Sequence, residues 1–428
     1  MQVSYLKSDI NRFAFLLSVL LFRLVLDFSY TFFISELFLY DGFGYEFDSV
    51  NYSISWVVYL SSMLMLSDRI EKVSHYFFAT AVLSVIAPLT SMYGLDASRP
   101  LFPVLISVGA LLWVYIFSRL SFISFKGLPA VKSGRGLAIT ISAGFVVFLL
   151  FWFFLSGAKP NLDISKVYEY RQANADLAAQ GILAYTNNWT FQIFSVYLIC
   201  FSLYAKRYFW FFILLAAQVC FYAFASHKSI LFLPVLVVSV WVYFRNSNSL
   251  LMLPLAFISI ILVAVFANVV FDDLWLTSLL SRRVFFMPAS LSFIYFDFFS
   301  TNAHTYWSNS ILSGLIVYPY GDVAIPYVIG EYLGAPEMGA NNGFVSSGYA
   351  HAGVLGVFSY ATIVGVLLRL VDDLSSGYMP VWMAVAISIV PLRSLLISSD
   401  LFTVMLTHGF AVAVFLMYLS RKREVVSM

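Results

Sequence analysis

The chain has 428 residues, of which 61% are hydrophobic and 11% charged, with a formal net charge of +2. A soluble domain carries roughly 25% charged residues, so this composition excludes one. The near-neutral balance, with no basic tail, excludes a nucleic-acid partner. What remains is an all-α, polytopic membrane bundle whose partner is the lipid bilayer.

A crossing takes about 20 apolar residues. Twelve such stretches are read in order, at roughly 13–37, 52–66, 75–93, 101–122, 137–156, 189–204, 208–225, 229–244, 250–270, 352–370, 380–396 and 401–420. The second and eighth are short. The seventh and eighth form a tight hairpin about Ser226-His227-Lys228. The first is long enough to span and lacks a small-residue cleavage site, so it reads as a membrane helix and not a signal peptide. Cys200 and Cys220 fall in separate spans and read as small packing residues.

Lys and Arg concentrate in alternate connections. One side holds Lys7, Arg12, Arg69, Lys72, Arg119, Lys126, Lys132, Arg135, Lys206, Arg207, Arg245, Arg369, Arg421, Lys422 and Arg423 in short segments and helix ends. The other, with much longer segments, holds Arg99, Lys159, Lys166, Arg171, Lys228, Arg282 and Arg283. The positive-inside rule makes the first side cytoplasmic, and an even span count puts both termini there. The chain then divides in three. Residues 1–270 carry nine spans and an outer loop at about 157–188, with helix-forming character from Asp163 to Gln180. Residues 271–351 form a large outer loop with interfacial helices, and 352–428 carry the last three spans and a short tail.

A long ordered insertion among short turns is usually functional. After Arg282 and Arg283, the run VFFMPASLSFIYFDFF is amphipathic and aromatic, suited to lie at the interface or dip into the bundle. Two adjacent guanidiniums there suit the oxygens of a diphosphate. Lys228, at the tip of its hairpin, adds a third cation, and Arg393, near the outer end of its span, a fourth. Arg393 either binds an anion or pairs with Asp400 beyond it. Arg23 and Asp27, four apart on the first span, read as a buried pair that locks helix packing. His304 is the best-placed imidazole for proton transfer, and Asp297 is the acid within the aromatic run. His351 and His408 are weaker candidates. Glu46 and Asp48 form an acidic pair that could act as base or hold a divalent cation. No phosphate-binding Gly-x-x-x-x-Gly-Lys loop and no His-Glu-x-x-His or Cys-x-x-Cys spacing occurs, so no ATP coupling, metal or cofactor is expected.

With these residues in view the chain resembles the O-antigen polymerases, the oligosaccharide repeat-unit or Wzy polymerases. The resemblance rests on the span number, the late outer loop, RRVFFMP at 282–288, YFDFF at 295–299 and YWSNS at 306–310. It rests also on ANNGFVSSGYA at 340–350, on Gly353 and Gly356, and on SHKS at 226–229. It implies a glycosyltransferase of the bacterial inner membrane that polymerises undecaprenyl-diphosphate-linked oligosaccharide at the periplasmic face. A flippase and a chain-length regulator are its implied partners. Arg283, Arg282, Arg393 and Lys228 would hold the diphosphate, and His304 or Asp297 would take the hydroxyl proton. Tyr295, Tyr306, Trp307 and Asn342 would contact sugar. The alternatives are a lipid-linked oligosaccharide transporter, an O-antigen ligase, or another polyprenyl-phosphate-dependent glycosyltransferase built on Glu46 and Asp48.

Overall fold

The computed structural model describes residues 2–163 and 181–421. The helix expected from Asp163 to Gln180 lies almost wholly outside them. The described residues are helical, with no strand. In chain order the helices are α1 (Asn11–Leu37), α2 (Ser49–Ser62), α3 (Val73–Leu95), α4 (Phe102–Arg119), α5 (Gly134–Leu155) and α6 (183–204). Next come α7 (Tyr208–Ala225), α8 (Lys228–Phe244), α9 (Met252–Phe271) and α10 (Leu274–Thr301). The chain ends with α11 (Ile325–Tyr332), α12 (Phe344–Ser375), α13 (Val381–Ile397), α14 (Leu401–Leu406) and α15 (Phe410–Leu419).

Eight of these are long and apolar enough to cross a membrane: α1, α3, α4, α5, α7, α9, α10 and α12. The remaining expected spans are helical but fall short of that measure. Helix α2 has 14 residues, α8 and α13 have 17 each, and α6 carries Thr186, Asn187, Asn188 and Gln192 along its length. The 401–420 stretch is broken into α14 and α15 at Gly409, whose φ of 72° suits a residue without Cβ.

Connections segregate to two faces. On one, the α1–α2 and α3–α4 loops are tied by Glu46 N–H to Leu95 O (3.0 Å) and Ala97 N–H to Glu46 O (2.8 Å). On the other, Ile70 N–H reaches Asn248 O (2.7 Å), Leu250 N–H reaches Asp68 O (2.8 Å), and Arg421 donates to Leu128 O and Lys126 O. Helix α12 runs parallel to α4, because Gly109 meets Phe358, Trp113 bonds Thr362, and Gly365 packs on Phe117 in the same sense. Both therefore start on the first face.

The segment between α9 and α12 leaves from and returns to that face. Asp273 caps α10 by accepting from the Trp275 and Leu276 amides, so the chain reverses directly after α9. Ten residues of π-helix, Thr277–Phe286, then carry Phe285 inward against Phe22 and Phe257. Farther along, Phe296 stacks on Tyr349 and meets Phe102, back at the same face. The aromatic run thus dips into the bundle and re-emerges, with most of α10 buried.

At membrane depth Arg23 is fully buried and completely partnered. Its guanidinium donates to Asp27 (2.7 Å), Thr90 (2.5 Å) and Ser55 (3.1 Å), while Asp27 also accepts from Ser91 (2.5 Å) and Tyr52 (3.1 Å). The pair closes α1, α2 and α3 on one another, as the sequence spacing suggested.

Candidate functional site

Helix α12 is broken near its start. Ala352 leaves the helical region (φ −152°, ψ 35°) and Gly353 sits at φ 58°, ψ −143°, a conformation closed to residues with a Cβ. The break folds 344–351 back so tightly that a Cβ on Gly356 would lie 2.0 Å from Gly348 O. His351 is the last residue before the break. The chain at 305–307 pairs with it: Thr305 N–H reaches Ala350 O (3.1 Å) and Tyr306 N–H reaches His351 O (2.9 Å). Tyr306 and Trp307 are both left-handed, at φ 46° and 58°. Two successive non-glycine residues held there cost about 1–3 kcal/mol each, a strain that collects at functional sites.

That backbone orients one imidazole. Thr305 Oγ1 lies 2.7 Å from His351 Nδ1, and the Trp307 amide donates to the same nitrogen (3.3 Å). With Nδ1 accepting from an amide, the ring N–H sits on Nε2, aimed at Asp400 Oδ2 (3.2 Å). The Trp307 ring stacks on the imidazole at 5.2 Å, and its Nε1–H bonds Tyr360 OH (2.7 Å), which donates to Asp400 Oδ2 (2.8 Å). Asp400 caps α14, accepting from the Phe402 amide at Oδ1 (2.8 Å). Burial alone would raise its carboxyl, but the hydrogen bond from His351, then those from Tyr360 and the Phe402 amide, outweigh it and hold Asp400 below the usual carboxylate range. Three bonds leave one of a carboxylate's roughly four acceptor sites open.

Asp400 and His351 line a cavity of about 280 Å³ on the first face. Its other walls combine hydroxyls and amides from Asn309, Ser310, Asn341, Ser347, Ser399 and Thr403 with the rings of Tyr295 and Phe402 and the apolar stretch Ala324, Ile325 and Pro326. Many hydroxyls and amides, two aromatic faces and one anionic carboxylate suit a neutral polyhydroxy ligand.

A second cavity of about 260 Å³ flanks the same end of α13. It is apolar along Phe191, Ile230, Leu233 and Ile389, and polar at Gln192, Ser229 and Arg393. Arg393 is accessible and, among the described residues, has no carboxylate within salt-bridge distance. Asp400, its expected alternative partner, is taken by His351 and Tyr360. The buried Oε1 of Gln192 also has no hydrogen-bond partner among the described residues. Lys228 opens α8 one residue before Ser229.

The remaining expected residues divide. Arg282 is engaged: it pairs with Asp41, bonds Ser278 (2.9 Å) and lies over the Phe38 ring at 4.5 Å. Arg283 is exposed and has no such pair among the described residues. Asp297 is an exposed carboxylate accepting from Tyr332 OH (2.8 Å), away from either cavity lining. His304 packs between Phe299 and Tyr349, and its buried Nδ1 has no partner among the described residues. Tyr295 donates to Ala340 O (2.9 Å) at the cavity wall. Asn342 also lines the cavity, but its amide nitrogen is spent on Pro288 O, Ser292 and Ser346, so it shapes the wall. Tyr306 is exposed, whereas Trp307 is built into the Asp400 network. Asp48 caps α2 through the Asn51 amide (2.8 Å). Asp400 and His351 received only minor roles from the sequence. A histidine before Ala-Gly in an apolar run, and an aspartate opening the last helical stretch, were the signals available.

No family model matches the chain, and no curated protein or solved structure matches it.

Proposed function

We propose that this protein is a membrane glycosyltransferase that polymerises oligosaccharide repeat units carried on undecaprenyl diphosphate, at the periplasmic face of a bacterial inner membrane. The carrying observation is a pair of cavities, one at the α13–α14 turn and one beside the C-terminal half of α13. One carries a carboxylate among hydroxyls and amides; the other holds a membrane-depth guanidinium that has no carboxylate partner among the described residues. The resemblance drawn from the sequence points the same way. The return of residues 272–343 to the face they leave, and the basic residues on the opposite face, support this orientation. With α10 re-entering, the crossings are α1 to α9, α12, α13 and the broken α14–α15, twelve in all, and both termini are cytoplasmic.

In the transfer, an acceptor sugar hydroxyl attacks the anomeric carbon of the carrier-linked glycan. The new C–O bond forms as the bond to diphosphate breaks, and the electron pair leaves with the diphosphate oxygen. Arg393, with Lys228 and the exposed Arg283, neutralises that leaving group. Asp400 takes the hydroxyl proton, while His351 and Tyr360 are positioning residues that aim its carboxylate. Tyr295 and the hydroxyl and amide wall hold the sugar. A flippase would supply the substrate, and a chain-length regulator would set the product length.

The test is the glycan ladder made by Asp400→Asn at matched protein levels. Removing a proton acceptor costs about 10²–10⁴-fold in rate, so lipid A core should carry single repeat units. A normal ladder overturns the role of Asp400. Loss of the single-unit band as well would point to flipping or ligation instead of polymerisation.

A further inference from the structure

Away from both cavities, a larger groove opens on the flank of the bundle between α5, α6 and α7. It encloses about 430 Å³ and is walled by apolar side chains, among them Ala143, Val146, Leu150, Leu198, Phe201 and Leu214. From Ile139 to Leu150 on α5 it runs about 16 Å at the helical rise of 1.5 Å per residue. One leaflet of a hydrocarbon core of about 30 Å has the same depth. Its mouth lies at the α6–α7 turn, on the face opposite the candidate site, because Tyr197 on the last turns of α6 bonds Ser420 (2.7 Å) next to Arg421.

Arg207 and Trp210 stand at that mouth. The turn is fixed: Lys206 is held at φ 54°, and Arg207 N–H bonds Ser202 O (2.8 Å). Six other arginines of this face are engaged by the protein, while Arg12, away from the groove lining, is exposed. Arg69 and Arg369 face Asp68 and Asp373, Arg135 and Arg421 donate to carbonyls, and Arg119 and Arg245 lie over Tyr115 and Trp241. Arg207 is exposed and has no carboxylate, carbonyl or ring partner of that kind among the described residues. An apolar slot one leaflet deep, ending at an unneutralised guanidinium beside an interfacial tryptophan, matches an acyl chain joined to an anionic head group.

We propose that this groove binds an anionic glycerophospholipid of the leaflet opposite the candidate site, with its phosphate on Arg207 and one acyl chain between α5, α6 and α7. The site is independent of the glycosyltransferase reading. Its test uses the purified full-length chain, with dioleoyl phosphatidylglycerol and dioleoyl phosphatidylcholine as probes and retention read by native mass spectrometry. The wild type should retain phosphatidylglycerol about fivefold more tightly, the contribution of one arginine near a membrane surface. Arg207→Gln should bind both lipids without preference, and Ala143→Phe, which fills the slot, should retain neither. Arg207 makes no ion pair whose loss would unfold the chain, so that variant decides the question by itself. An undiminished preference in Arg207→Gln overturns the proposal. So does displacement of phosphatidylglycerol by equimolar undecaprenyl phosphate, which would make the groove a site for carrier lipid.

Discussion

Arg23 and Arg393 both lie within helices buried in an apolar bundle, yet their surroundings are opposite. Arg23 is fully buried, its donors spread over Asp27, Thr90 and Ser55 and its guanidinium 5.2 Å from the Trp56 ring. Arg393 opens into a cavity and, among the described residues, has no carboxylate within salt-bridge distance. A charge in lipid must be neutralised by something. Where the protein supplies the whole shell, the charge is part of the packing. Where it supplies no carboxylate, as at Arg393, we propose that a ligand completes the shell.

The contrast breaks most sharply in stability. Arg23→Ala strands a buried Asp27 and should cost about 3–5 kcal/mol, read as a large fall in thermal midpoint and in yield. Arg393→Ala should leave the midpoint within error. Equal losses in both variants would mean that Arg393 is structural too.

Activity should show the converse. Arg393→Ala removes a contact to the departing diphosphate worth about 2–4 kcal/mol, roughly thirty- to a thousand-fold in rate. Lysine, a point charge without the planar fork, should restore little. Polymerisation by Arg393→Ala proteoliposomes at the wild-type rate would remove it from the site.

The neighbouring arginines extend the comparison at smaller scale. Arg282 and Asp41 are partly exposed, with side-chain exposures of 12% and 29%, so breaking the pair should cost at most about 1 kcal/mol. Arg283→Ala should spare stability and shorten the glycan ladder. If the two variants exchange these effects, the engaged arginine is the functional one.

The smallest effect separates Asp400 from His304 as proton acceptor. Asp400 is held below the ordinary carboxylate value of 3.8, so it stays charged, and its share of activity stays present, until pH falls below that value. The acid limb of the rate profile should therefore be absent between about pH 5 and 8. A limb near pH 6–7, the range of an ordinary imidazole, would reassign the proton to a histidine.

Apolar runs, turn residues and charge placement are local properties. The sequence by itself therefore determined an all-helical membrane bundle, the Arg23–Asp27 pair and a late, aromatic segment that dips into the bundle. Periodicity and length carry that much because lipid leaves the backbone no alternative to the helix. Only the tertiary structure decided which charges are occupied. Arg282 and Arg283 are neighbours in sequence, yet a loop about 240 residues away, through Asp41, engages one of them. Asp400 and His351 come together across 49 residues because Gly353 breaks α12 and two left-handed residues press Trp307 onto the imidazole. Hydrogen-bond networks of this kind depend on Å-scale approach between distant helices, and no spacing along one helix encodes that.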